Sequence, residues 1–271
     1  MIAQIIFVVW RESIEALLVI GILQAWLRRN GSDAAHFYLW GGVAAGLAAA
    51  AGLSWVLTRF GDTLPPEGQD IFQMTLMLVA AALVVQMVLW MRRHGRTLKR
   101  QLESGLSEKL AQGRLWGIFA LALIAVMREG AETVIFLQGI IAATGWTAGA
   151  VLAVLAAFAA ALATYGLLQF GSKILFWRHF FRLTEVMLLL LACALFVNGT
   201  GYLVSLGVLP YTHPVLNLTA ILDDSRPAGA VVAALTGYRA TPDVVTVTSW
   251  LVYWGGIAFA LRRQSRRATH A

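Results

Sequence analysis

The sequence predicts an all-α, polytopic membrane protein of seven transmembrane helices, with the N-terminus outside and the C-terminus inside. Three observations predict it. The 271 residues are 59% hydrophobic and 13% charged, against about 45–50% and 25% in soluble domains. Seven apolar segments lie within or near the length a bilayer requires, about 17–25 residues. The charges between those segments are sorted by sign. An ordinary soluble protein is excluded, and so is a disordered chain, which would carry far fewer apolar side chains. The single cysteine, Cys193, lies in an apolar run, so no internal disulfide and no cysteine-based metal or redox site is expected.

The apolar segments run roughly over Ile2–Leu27, Phe37–Leu57, Ile71–Met91, Leu115–Ala143, Ala148–Phe170, Leu183–Val204 and Val244–Leu261. No Lys or Arg precedes the first, so a cleavable signal peptide is not expected. The second opens at Trp40 and is rich in Gly and Ala; Gly42 and Gly46 suit close helix packing. The third carries Gln73 and Gln86, read as bonds to neighbouring helices. Between the third and fourth, Leu98, Leu102, Leu106 and Leu110 recur every fourth residue among charges. That spacing predicts an amphipathic helix on the inner membrane surface. The fifth span opens at Trp146 and is again rich in Gly and Ala. Between the sixth and seventh, Pro210, Pro214, Pro227 and Pro242 mark a structured outer loop, with a short helix near Ala228–Leu235. The whole reads as one permease domain. Residues 1–91 form a first repeat, 92–114 the linker, 115–204 a second repeat, 205–242 the outer loop, and 243–271 the last span with a basic tail.

Charge sets the direction. With the N-terminus outside, the inner loops and tail hold 16 of the 21 basic residues. The outer loops hold Arg59, Arg226 and Arg239 against six acids: Asp62, Glu67, Asp70, Asp223, Asp224 and Asp243. The opposite topology violates the positive-inside rule. The formal charge of +7 therefore reports membrane orientation and contact with anionic lipid, and nucleic acid is not an expected partner. Most of the ten tryptophans mark the interfaces.

Seven charged residues remain inside the spans: Arg11, Glu12, Glu15, Arg128, Glu129, Glu132 and Glu185. Six of them form two copies of Arg-Glu-x-x-Glu, one near the middle of the first span and one near the middle of the fourth. A charged side chain at that depth costs about 2.5–3.5 kcal/mol to insert, so the six must face one another or a wet cavity. Glutamates at i and i+3 project from one helix face. Each arginine is spaced to bridge back to Glu15 or Glu132 in its own helix, or to reach across to the other. If the two motifs face each other, four carboxylates and two guanidinium groups leave a net charge of −2, built to receive a cation. A purely structural salt bridge fits less well. Buried ion pairs stabilise poorly, and packing does not need two acids per arginine.

All candidate ligands are oxygens, which suit hard cations and iron better than copper. None of the five histidines falls in the middle of a span, which disfavours zinc and a Glu-x-x-His di-iron site. The first span runs out-to-in and the fourth in-to-out. Spans one to three and four to six therefore read as an inverted-topology pair with a seventh span appended, a design that binds substrate near the midplane.

The doubled motif in the first and fourth of seven spans resembles the high-affinity iron permeases. These include the fungal oxidase-coupled permeases and the bacterial permease subunits of elemental-iron uptake systems. The resemblance covers essentially the whole chain in span count and motif placement. It implies that Glu12, Glu15, Glu129 and Glu132 ligate iron during permeation, with Arg11 and Arg128 as their charge partners. It implies import from outside through a plasma membrane (here a bacterial inner membrane), with iron as cargo rather than a permanently bound cofactor. A separate oxidase or extracytoplasmic iron-delivery protein is the partner it implies. The family also has relatives linked to lead. Fungal members carry an acidic motif in the last outer loop; the nearest counterpart here, Asp223-Asp224-Ser225-Arg226, departs from it.

Three residues are secondary candidates. Glu185, three residues after Arg182, reads first as an interfacial ion pair and second as a ligand. Asp223 and Asp224 read first as solvated loop acids. His213, between Tyr211 and Pro214 in effect, reads as a loop histidine. Gly130 either lets backbone approach the ion or eases helix packing. Iron import is the leading function. The alternatives are a proton-coupled carrier of another divalent metal, such as manganese or lead, and an intramembrane metal-dependent enzyme, for which no span-embedded Ser/His or Cys/His pair is present.

Overall fold

The computed structural model describes residues 1–30, 33–94, 104, 115–141, 145–170 and 174–269. Among them lie eight α-helices: α1 Ile2–Asn30, α2 Asp33–Thr63, α3 Pro66–His94, α4 Leu115–Ile141, α5 Ala148–Phe170, α6 Ile174–Ser205, α7 Pro227–Thr236 and α8 Val244–Thr269. No strand occurs among the described residues, and one isolated bridge joins Pro214 to Asp243. The surface helix expected around Leu98–Leu110 lies outside the described residues.

Five of the helices, α2, α3, α5, α6 and α8, are long and apolar enough to cross a membrane. The motif helices α1 and α4 have 29 and 27 residues, about 40 Å at 1.5 Å per residue. They differ from the five in carrying charges at mid-length. Local chemistry sets the ends. Arg28 and Arg29 occupy the last turn of α1, and Asp33 the first turn of α2, each on the side the helix dipole favours. The short α7 begins at Pro227, where no N–H is needed. It ends at Gly237, whose φ of 73° is the left-handed cap that glycine adopts freely.

Packing follows side-chain size. α2 lies closest on α4, α3 on α6 and α1 on α5. On α2, Gly42 and Gly46 let the backbones approach: a Cβ at Gly46 would sit 2.9 Å from Val126 Cβ and 3.1 Å from the Leu123 carbonyl. Gly130 belongs to the same seam. A Cβ there would meet Ala50 Cβ at 2.6 Å, so its missing side chain serves helix packing.

Helix directions follow from the register of these contacts. Gly42 meets Ala122, Gly46 meets Val126 and Thr58 accepts a bond from Gln138 Nε2 at 2.8 Å, so α2 and α4 run in parallel. Gly149 lies near Ile2, and Trp10 donates to Thr164 Oγ1 at 3.1 Å, so α1 and α5 are parallel too. The Tyr202 hydroxyl donates to Gln73 at 2.7 Å while Arg92 pairs with Glu185, so α3 and α6 are antiparallel.

The buried apolar residues divide into two clusters. One joins Ile5, Val8 and Val9 of α1 to Phe136 and Ile140 of α4, with α3, α5, α6 and α8 around them. The other joins Leu23 and Leu27 of α1 to Ile118, Ala122 and Val126 of α4, with α2 against them. The start of α1 thus packs on the end of α4 and the reverse, so the two helices cross antiparallel. Both motifs fall between the clusters. Many large apolar side chains, Trp55, Leu152, Leu155 and Phe259 among them, face outward, as a surface bathed in hydrocarbon requires.

Candidate metal site

The two motifs meet where α1 and α4 cross. One carboxylate oxygen from each of Glu12, Glu15 and Glu129 lies within 4.8 Å of the other two. An equilateral triangle of that side has its centre about 2.8 Å from each corner. Hard cations bind oxygen at about 2.0–2.6 Å, so the three oxygens need to close by only a few tenths of an ångström around an ion. Glu132 lies in electrostatic range of Glu12 and Glu15 but stands outside this triangle.

The two arginines differ in their surroundings. Arg11, 2% exposed, donates through Nη1 to Glu12 Oε1 at 2.6 Å and through Nη2 to Glu15 Oε1. Its Nη1 also faces Met87 Sδ of α3 at 2.9 Å. Arg128 is 45% exposed and donates through Nε to Glu132 Oε1 at 3.2 Å. Its guanidinium lies over the ring of Trp90, also on α3, 4.8 Å from the centroid. Each arginine therefore bridges forward four residues, as helical spacing allows.

What each carboxylate leaves unused matters more. Glu12 Oε2, Glu129 Oε2 and Glu132 Oε2 are buried without a hydrogen-bond partner. An unpaired buried polar atom costs about 1–3 kcal/mol, and more when charged. Arg11 Nε is buried without a partner as well, yet the unpaired oxygens outnumber it three to one, an environment that a cation would satisfy. The site is flanked along both helices by the two apolar clusters, which shield it from water.

The secondary candidates sit elsewhere. Glu185 pairs with Arg92 of α3 rather than with Arg182 one turn away; the geometry that decides it is between helices, not within one. Asp223 accepts from the Ser225 hydroxyl and amide, at 2.5 and 3.0 Å, and lies 3.6 Å from Arg226. Those Ser225 bonds, with the nearby guanidinium, hold its carboxyl below the usual value. Asp224 accepts from the Ala240 amide at 3.2 Å. Both acids thus close turns in the segment between α6 and α8, and neither is near the glutamates' crossing point by any described contact. His213 stacks edge-on against Tyr211.

Met87 and Trp90 are residues that sequence reasoning passes over. They lie three apart in an otherwise uncharged stretch of α3, and Trp90 beside Arg92 reads as an interface marker. A cleft of about 830 Å³ also opens between α3, α6 and α8, lined by Gln86, Trp90, Tyr253 and Gln264 among mostly apolar groups. It offers no carboxylate and so no ligand set for a hard cation.

A sequence profile of the iron permease FTR1 family matches residues 2–264. Similar proteins include the ferrous iron permease EfeU of Shigella sonnei, 27% identical over 263 residues, covering 93% of this chain and 92% of the relative. The ferrous iron permease EfeU of Escherichia coli O6:K15:H31 is 26% identical over 253 residues, covering 90% and 89%. That of Yersinia pestis is 25% identical over 252 residues, covering 91% and 88%. No solved structure matches the chain.

Proposed function

The chain belongs to the iron permease FTR1 family, and on that premise we propose that it imports iron through the carboxylates gathered where α1 and α4 cross. The observation that carries this reading is the set of three buried, unpartnered carboxylate oxygens beside two engaged arginines. Such oxygens are costly unless a cation or protons visit them. Relatives are named as ferrous iron permeases, and the cluster's net charge of −2 matches a divalent ion. Ferrous iron is therefore the proposed cargo, with Glu12, Glu15 and Glu129 as first ligands and Glu132 as a fourth.

The same reading takes α1 and α4 as spans alongside the five apolar helices, seven in all. Helix directions support it, because α1 and α5 run together, α2 and α4 run together, and α3 opposes α6. The pairing also supports an inverted repeat. Exchanging helices one, two and three with four, five and six turns the α1–α5 contact into the α4–α2 contact and leaves α1–α4 and α3–α6 unchanged. The cation distribution supports N-out and C-in, so iron would travel from the acidic outer face, past one apolar cluster, to the glutamates, and past the other to the basic inner side. A bacterial cytoplasmic membrane is the proposed location.

The test is uptake of ferrous iron by proteoliposomes. Replacing outer-shell partners of a metal costs about 10–100-fold, so Glu12→Gln and Glu129→Gln, which remove ligands, should lower uptake at least that much while the folded protein still inserts. Unchanged uptake in either variant would overturn the proposal. Manganese competing as well as iron would favour the broader divalent-metal carrier.

A further inference from the structure

The two motifs are identical in pattern but not in state, and the difference points to a residue outside both. Arg11 turns inward and engages both glutamates of its motif, Glu12 and Glu15. Among the described residues Arg128 pairs with Glu132 alone and lies with its guanidinium over Trp90. Arg11, which meets Met87 rather than a ring on α3, shows that the arginine of this motif can engage both glutamates at once. The counterpart of Glu12, which is Glu129, keeps a buried oxygen without a partner and is one of the three carboxylates drawn together. Met87 and Trp90 stand one turn apart on α3, so a single face of that helix touches both arginines.

We propose that Trp90 is a positioning residue for the iron site: its ring face holds Arg128 away from Glu129 and so keeps that carboxylate available to the ion. This rests on the permease reading above. A guanidinium over an indole is held by the ring quadrupole, most strongly over tryptophan. Without the ring, Arg128 is free to fold as Arg11 does and bridge Glu129 and Glu132. It would then compete with iron for the oxygens and add positive charge beside it. The occupant changes while the ligands remain, so the effect falls on iron affinity rather than on the fold.

The experiment uses full-length protein in proteoliposomes and detergent, with ascorbate-reduced ferrous iron as the probe. The half-saturating iron concentration is read from uptake and, separately, from iron-dependent thermal stabilisation. Trp90→Leu should raise it about three- to tenfold, the ratio a cation–π contact commonly represents, with the maximal rate and the yield of folded protein retained. Trp90→Phe, which keeps a ring face, should recover most of the loss. In an Arg128→Gln background Trp90→Leu should add nothing, because no guanidinium is left to release. A half-saturation point unmoved by Trp90→Leu, or moved equally with and without Arg128, would reduce Trp90 to a packing residue. Uptake that depends on Glu12 but ignores Trp90 overturns this inference alone; absence of iron uptake and binding in the unmodified protein overturns the permease reading with it.

Discussion

Removing one arginine at a time should expose how unequal the two motifs are. In Arg11→Gln, a side chain 2% exposed is lost from between Glu12, itself 1% exposed, and Glu15. Deleting one member of a buried ion pair costs about 3–5 kcal/mol, because the remaining charge is left uncompensated. Here two carboxylates lose the same partner, so the upper part of that range applies. In Arg128→Gln, a half-exposed side chain is lost from one bond of 3.2 Å. A chain of this size shifts its melting temperature by about 2–4 °C per kcal/mol. Thermal unfolding in detergent, followed by size exclusion, should therefore show a drop of about 8–20 °C for Arg11→Gln and a smaller one for Arg128→Gln. Saturating ferrous iron should narrow the first deficit, since the ion supplies the missing positive charge. Equal shifts in the two variants, or a larger one at Arg128, would refute the assignment of Arg11 as the buried clamp.

Two further predictions concern the scaffold. Gly46→Val should destabilise the α2–α4 seam by about 1–3 kcal/mol, the usual cost of overpacking, because even a Cβ there would sit 2.9 Å from Val126 Cβ; thermal unfolding reads it, and a neutral result would mean the helices part easily. Asp243 accepts the Thr246 amide at 2.9 Å at the start of α8, so Asp243→Ala should cost about 1 kcal/mol as a lost N-cap. Partial burial pushes the Asp243 carboxyl up, but bonds from Thr246 and Thr212 outweigh it and hold the group below its usual value. Its stabilisation is therefore present above the unfolded carboxylate pKa of about 3.9 and fades as pH falls through the lower folded value. The gap in melting temperature between wild type and Asp243→Ala should shrink below about pH 4; a gap that widens there would contradict the sign.

Much of this architecture is legible in the sequence because it depends on spacing within one helix. The Arg-Glu-x-x-Glu pairs at the middle of α1 and α4, the i to i+4 bridges from Arg11 to Glu15 and Arg128 to Glu132, and the close approach at Gly42 and Gly46 all follow from period and residue size. The short outer helix near Ala228–Leu235 is found at Pro227–Thr236, as proline and glycine punctuation suggests. What spacing does not carry is contact between helices. Glu185 has Arg182 one turn away, yet its partner is Arg92 on α3. The doubled motif gives no reason for one arginine to be buried and the other half exposed; Met87 and Trp90 of α3 make that difference. For the same reason the sequence presents four equivalent glutamates, while packing draws Glu12, Glu15 and Glu129 together and leaves Glu132 beside Arg128.

The central claim is a place: a cation held between two antiparallel helices. A crystal structure of iron-soaked protein, with anomalous differences measured at the iron absorption edge, locates the ion directly. One strong peak is expected within bonding distance of Glu12, Glu15 and Glu129, with Arg128 still on Trp90. A peak confined to the outer loop near Asp223 and Asp224, or carboxylates closed onto both guanidinium groups with no density between them, would contradict it.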